Sequence, residues 1–101
     1  MASYYLIIDV RVDDPDEYKK YMAGAKPLVE RFGGKYLVRG GDFEVLEGDY
    51  FQPRRLVVLR FPSKQACESF HQSPEYQQVR EIRLPVSDMV AVGVEGYEEP
   101  A

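Results

Sequence analysis

The run Leu56-Val57-Val58-Leu59-Arg60-Phe61 limits what this chain can fold into. As a strand it places Leu56 and Val58 on one face and Val57, Leu59 and Phe61 on the other, because successive side chains alternate across a pleat. A sheet with one wet face should instead alternate apolar with polar residues. The segment near the C-terminus repeats the pattern, with Val90, Val92 and Val94 opposed to Met89 and Ala91. A sheet built from such strands needs cover on both faces.

The rest of the chain supplies cover for one face. Tyr4 to Val12 alternates, with Leu6, Ile8, Val10 and Val12 on one side and Tyr5, Ile7, Asp9 and Arg11 on the other, which predicts a strand. Asp14, Pro15 and Glu17 then supply an N-cap, a first-turn proline and a capping-box glutamate. Tyr18, Tyr21, Met22, Ala25, Leu28, Val29 and Phe32 follow at helical spacing. Pro27 lies inside this helix and is expected to kink it, opening room near Tyr21. Gly33-Gly34 belongs at a left-handed C-cap.

Lys35 to Arg39 reads as a second strand, broken or bulged at Gly40-Gly41-Asp42 and resumed from Phe43 to Glu47. Arg54 to Phe61 is the third strand. Ser63 caps a helix through Ala66, Cys67 and Phe70, and Ser73-Pro74 starts another carrying Tyr76, Val79 and Ile82. Pro85 ends it, and Ser87 to Val94 is the last strand. The order βαββαβ predicts one ferredoxin-like α+β domain over residues 1–96, a four-stranded antiparallel sheet with two helices on one face, followed by a loose acidic tail over 97–101. The other sheet face would remain an apolar patch too large for a monomer, so a homodimer through that face is expected.

Composition excludes several functions. A chain of 101 residues with a net charge of −4 and no basic run is no expected nucleic-acid binder. One cysteine, Cys67, and one histidine, His71, allow no internal disulfide, and no structural zinc site without several carboxylates or a second chain, so no metal is expected. No apolar run approaches the ~20 residues of a membrane span. The N-terminal segment carries no basic leader and reaches Asp9 early, which predicts no membrane association and a cytoplasmic location. The glycine pairs match neither a Walker loop nor a dinucleotide fingerprint, and no cofactor is expected.

Few residues remain as candidates for chemistry. Arg39, taken to share a face with Leu37, puts a guanidinium at a semi-buried cleft, where it needs Asp9 or Glu44, or else an anionic ligand. Gly40 and Gly41 beside it would let backbone N–H groups approach the same ligand. Tyr21 is placed at the cleft with them, although Tyr18, Tyr21, Tyr36 and Tyr76 also suit a core with polar tips. His71 and Asp9 are weaker catalytic candidates. His71 is the one side chain with an unperturbed titration near neutrality. Asp9 sits mid-strand, paired with Arg11, Arg39 or Arg60, or else acting as a proton acceptor.

The strings FGGKYLVRGGDFEVLEGDY, RRLVVLRFPSKQAC and SPEYQQVREIRL resemble the small bacterial family called domain of unknown function 1330, from Tyr4 to about Gly96. The resemblance implies a dimeric α+β barrel, two ferredoxin-like protomers packed sheet to sheet. It implies no reaction. The wider superfamily includes cofactor-free monooxygenases, an isomerase and haem-handling proteins, and fold-level kinship of that kind transfers no activity. Tyr50-Phe51, Phe70-His71 and Leu84-Pro85-Val86 depart from the usual pattern of the family. The expected function is binding of a small, partly apolar or anionic molecule in a cleft between helices and sheet. The rivals are a cofactor-free monooxygenase- or isomerase-like enzyme and a non-catalytic structural or stress-related protein.

Overall fold

A computed structural model of the chain describes residues 2–98 and 100. Its elements run β1 (Tyr4–Val12), α1 (Pro15–Arg31), β2 (Lys35–Arg39), β3 (Leu56–Phe61), α2 (Lys64–Gln72), α3 (Pro74–Arg83), a 3₁₀ turn (Leu84–Val86) and β4 (Ser87–Glu95). The strands form one antiparallel sheet in the order β2-β3-β1-β4. This is the ferredoxin-like plan. The second helical segment is split in two at Ser73. Of the tail over 97–101, Glu99 and Ala101 lie outside the described residues.

Local chemistry sets the helix ends. The Asp14 carboxylate accepts the Glu17 N–H at the start of α1. At its end the N–H of Gly33 bonds the Glu30 carbonyl (3.0 Å) and that of Gly34 bonds the Val29 carbonyl (2.8 Å), the paired bonds of a Schellman cap. Gly33 supplies the left-handed residue, with φ of 85°. Gly34 is needed for space: a Cβ there would lie 2.7 Å from both Phe61 and Val29. The expected kink at Pro27 does not break the element, and α1 is continuous from Pro15 to Arg31.

The helices cover one sheet face. Ile8, Val10, Val57, Leu59 and Phe61 form the core with Tyr18, Tyr21, Ala25 and Val29 of α1 and Cys67, Phe70 and Tyr76 of α2 and α3. Burial pushes the Cys67 thiol above its ordinary value and keeps it an inert packing group. The opposite face is bare. Ile7 pairs with Val92, and Val90, Val92 and Val94 are 64%, 53% and 45% exposed.

Two strand expectations need correction. Phe43 to Glu47 does not resume β structure. It lies in an exposed connection between β2 and β3 and pairs with no strand of the sheet. Nor does Arg39 share a face with Leu37. Tyr36 pairs with Leu59 and Val38 with Val58, so Leu37 is an extra, bulged residue. The bulge shifts the alternation, and Arg39, opposite Val57, joins Tyr36 on the helix-covered face.

Candidate functional site

Between helices and sheet the core is not completely filled. A cleft is lined by Tyr18, Tyr21 and Met22 of α1, Tyr36 and Arg39 of β2, Arg55 at the entry to β3, His71 of α2, Tyr76 and Arg83 of α3, and apolar side chains of β1, β3 and β4. Its internal volume is about 50 Å³, on the order of four water molecules at ~10–15 Å³ each. It has room for a small polar head with a carbon or two.

The charge of this cleft is one-sided. Arg39, Arg55 and Arg83 line it, and none of the described lining residues is acidic. That contrasts with a chain whose net charge is −4. Arg39 donates to the Met22 carbonyl (3.3 Å) and lies over the Tyr36 ring at 4.6 Å. Arg55 reaches the Met22 sulfur (3.6 Å) and faces the Tyr18 ring at 5.9 Å. Among the described residues neither meets a carboxylate, so the alternative of an ion pair from Arg39 to Asp9 or Glu44 is not realised.

Arg83 is the unusual member. It is 7% exposed and stands over the Tyr21 ring at 5.5 Å. Its Nε has no hydrogen-bond partner, and no carboxylate among the described residues forms an ion pair with it. The Tyr76 and Tyr21 hydroxyls act on the guanidinium as hydrogen-bond partners, and its unpartnered Nε leaves a buried charge that an anion would stabilise further.

Phenols surround the guanidinium. The Tyr21 and Tyr76 hydroxyls lie 2.8 Å apart. Two hydroxyls sharing one hydrogen bond leave one O–H free to donate. Burial, reinforced by the neighbouring Tyr76 oxygen, pushes the Tyr21 phenol far above its ordinary value. Burial raises Tyr18 and Tyr36 as well. All three therefore remain neutral donors at neutral pH. His71 lies on the cleft wall, 5.6 Å ring to ring from Tyr76. Burial first, then the charges of Arg80 and Arg83, hold its imidazole below the ordinary value of 6.5 and so neutral at pH 7.

The structure thus brings Arg39, Tyr21 and His71 to one cleft. Gly40 and Gly41 sit just outside it. Gly40 ends β2 with φ of 73°, and a Cβ there would strike the Arg55 guanidinium at 2.6 Å. Asp9 is not part of the cleft. It lies on the bare face, where its Oδ1 accepts the N–H groups of Arg54 (2.7 Å) and Arg55 (3.1 Å), rather than pairing with an arginine side chain. Sequence reasoning missed Arg55 and Arg83. Arg83 reads as an ordinary cation at a helix C-terminus, yet it falls seven residues after Tyr76, on the same stripe as Val79. That spacing was the available signal.

Among the described residues no group of three or more His, Cys, Asp or Glu is placed to hold a metal ion. No helix among them is long and apolar enough to cross a membrane.

Solved structures share the architecture. A protein of unknown function from Rhodopseudomonas palustris superposes with a TM-score of 0.75 at 20% identity, over 97% of this chain and 85% of that one. A protein of unknown function from Thermobifida fusca, described as dimeric and ferredoxin-like, gives 0.57 at 16% identity, over 93% and 91%. SnoaB, a cofactor-independent oxygenase from Streptomyces nogalater, gives 0.57 at 11% identity, over 97% and 94%. Likeness at these identities concerns the fold alone. No curated protein matches the chain. The family model for the domain of unknown function DUF1330 matches residues 3–97, and the chain belongs to that family.

Proposed function

We propose that this chain is a cytoplasmic homodimer that binds a small, partly apolar carboxylic acid in the cleft between helices and sheet. One observation carries the reading: among the described residues Arg83 is buried beside two tyrosine hydroxyls with no acidic partner, in a cleft with two further arginines and no carboxylate in its lining. Guanidinium groups grip carboxylates in a planar, two-point contact, and the neutral phenols add donors. Aliphatic and aromatic walls receive the apolar part. Arg39, at the rim, steers the anion in; Gly40 and Gly41 keep the backbone beside it slim.

The homodimer rests on the bare sheet face with its row of exposed valines. The Thermobifida fusca protein, described as dimeric, points the same way. A free, buried Cys67 suits a reducing compartment.

The test is thermal melting with and without short carboxylic acids. A rise in the wild-type melting temperature that Arg39→Leu reduces, with the dimer intact, supports the reading. If no acid raises the wild-type value and Arg39→Leu lowers it sharply, Arg39 is structural and the reading fails.

A second reading is a cofactor-free enzyme. The neutral imidazole of His71 beside an arginine-lined cleft favours it, since such a base can take a proton from a bound acid whose resulting anion the arginines stabilise. Loss of turnover, with unchanged binding, in His71→Gln would separate enzyme from binder.

A further inference from the structure

The cations of the cleft fall into two groups. Arg39 and Arg55 both reach Met22, one at its carbonyl and one at its sulfur, so they form one pole. Arg83 forms the other. Between them runs a short aromatic ladder. Arg83 stands 5.5 Å from the Tyr21 ring, Tyr21 lies 5.3 Å from Tyr18, and Arg55 stands 5.9 Å from Tyr18. The electrostatic neighbours agree with two poles. Arg83 acts on Tyr21 and His71, Arg39 and Arg55 act on Tyr36, and Tyr18 in the middle senses both Arg55 and Arg83.

The poles differ in depth. Arg83 is 7% exposed, whereas Arg39 is an exposed side chain at the rim. An interior of about 50 Å³ takes one small head group and leaves the remainder of a ligand on the way out. A lone carboxylate would meet only one pole and leave the other without its counter-charge.

We infer that the ligand is a dicarboxylate with a short apolar body, one acid group held at Arg83 with the Tyr21–Tyr76 hydroxyls, the other at Arg39 and Arg55, and the body lying along Tyr18 and Tyr21. The inference rests on the carboxylate-binding reading above and names its substrate class. Tyrosine faces and Met22 form a wall that suits methylene or planar unsaturated carbons. The two poles at fixed separation act as a ruler, because each guanidinium fork needs its carboxylate within hydrogen-bond reach.

Calorimetric titration of the dimer at low ionic strength tests it, with two matched series: butanoate to octanoate, and succinate to suberate. One dicarboxylate length is expected to bind about tenfold tighter than the monocarboxylate of equal length, the worth of one further charge-assisted contact. Shorter and longer members fall away on both sides. Arg39→Gln, at an exposed position that should not disturb folding, is expected to erase that advantage while monocarboxylate binding persists at Arg83. Arg83→Gln, if it folds, leaves monocarboxylate binding at the rim alone. If both series bind equally well at every length, the two-pole inference is overturned and the carboxylate-binding reading stands. If neither series binds, both are overturned.

Discussion

Tyr21 and Tyr76 stand fifty-five residues apart in the chain, and their hydroxyls meet at 2.8 Å, joining α1 to α3 beneath Arg83. Both residues are buried, at 8% and 3% exposure. Removing one hydroxyl therefore strands the other away from water. Tyr21→Phe and Tyr76→Phe should each destabilise the fold by about 1–3 kcal/mol, the cost of an unsatisfied buried polar group. The double variant should cost clearly less than the two single costs together, since it removes donor and acceptor at once. Denaturant unfolding of the four proteins completes the cycle. Additive costs would mean that the hydroxyls do not depend on each other.

The bare sheet face makes a separate prediction. Val92 lies in its middle, paired with Ile7 and half exposed in the single chain. Val92→Glu places a charge where a second sheet should pack, while a lone protomer would leave it in water. Light scattering at micromolar concentration should give a dimer for the wild type, with about 1,500 Å² or more buried, and a monomer for the variant. A wild-type monomer would remove the sheet-to-sheet arrangement altogether.

Three neighbouring glycines should respond differently to alanine. Gly33→Ala forces an alanine to φ of 85° and should cost about 1 kcal/mol. Gly34→Ala pushes a methyl against Phe61 and Val29 at the floor of the core and should cost about 1–3 kcal/mol through overpacking. Gly41 meets nothing within 4 Å, and Gly41→Ala should be neutral within about 0.5 kcal/mol. Chemical denaturation midpoints rank the three. A costly Gly41→Ala would mean that this turn packs against a partner.

His71 predicts a coupling between protons and ligand. Its imidazole binds a proton less readily in the fold than in the unfolded chain, whose ordinary value is 6.5. Stability tied to this group is therefore complete above that pH and lost progressively as pH falls through it. A bound carboxylate offsets the repulsion from Arg80 and Arg83 and pulls the value back up. Binding near pH 6 should then take up protons, read as a dependence of the binding heat on buffer ionisation, and His71→Gln should abolish that dependence. Identical heats in all buffers would remove His71 from the binding site.

Most of the scaffold was legible because its signals are local. Alternation from Tyr4 to Val12, the Asp14-Pro15-Glu17 start, Gly33-Gly34 and the Ser73-Pro74 restart each act within a few residues. What escaped depends on partners distant in sequence. The bulge at Leu37 exists only against Val58, and it alone decides which way Arg39 points. Phe43 and Val45 alternate like a strand, but they join no ladder of the sheet. Asp9 looked like a misplaced carboxylate because the N–H groups that satisfy it belong to Arg54 and Arg55. Arg83 went unnoticed because its surroundings come from α1 as well as its own helix.

Ser73 has a larger reach than its size suggests. Its Oγ donates to the Phe70 carbonyl (2.8 Å) and accepts the Tyr76 N–H (3.1 Å), so one hydroxyl ends α2 and begins α3. His71 belongs to the first rod; Tyr76 and Arg83 belong to the second. Their mutual placement therefore hangs on a single joint rather than on one stiff helix. Sequence drift at that joint could re-aim a wall of the cleft against its floor while α1 and the sheet stay as they are, a route by which one scaffold could come to enclose a cleft of different shape.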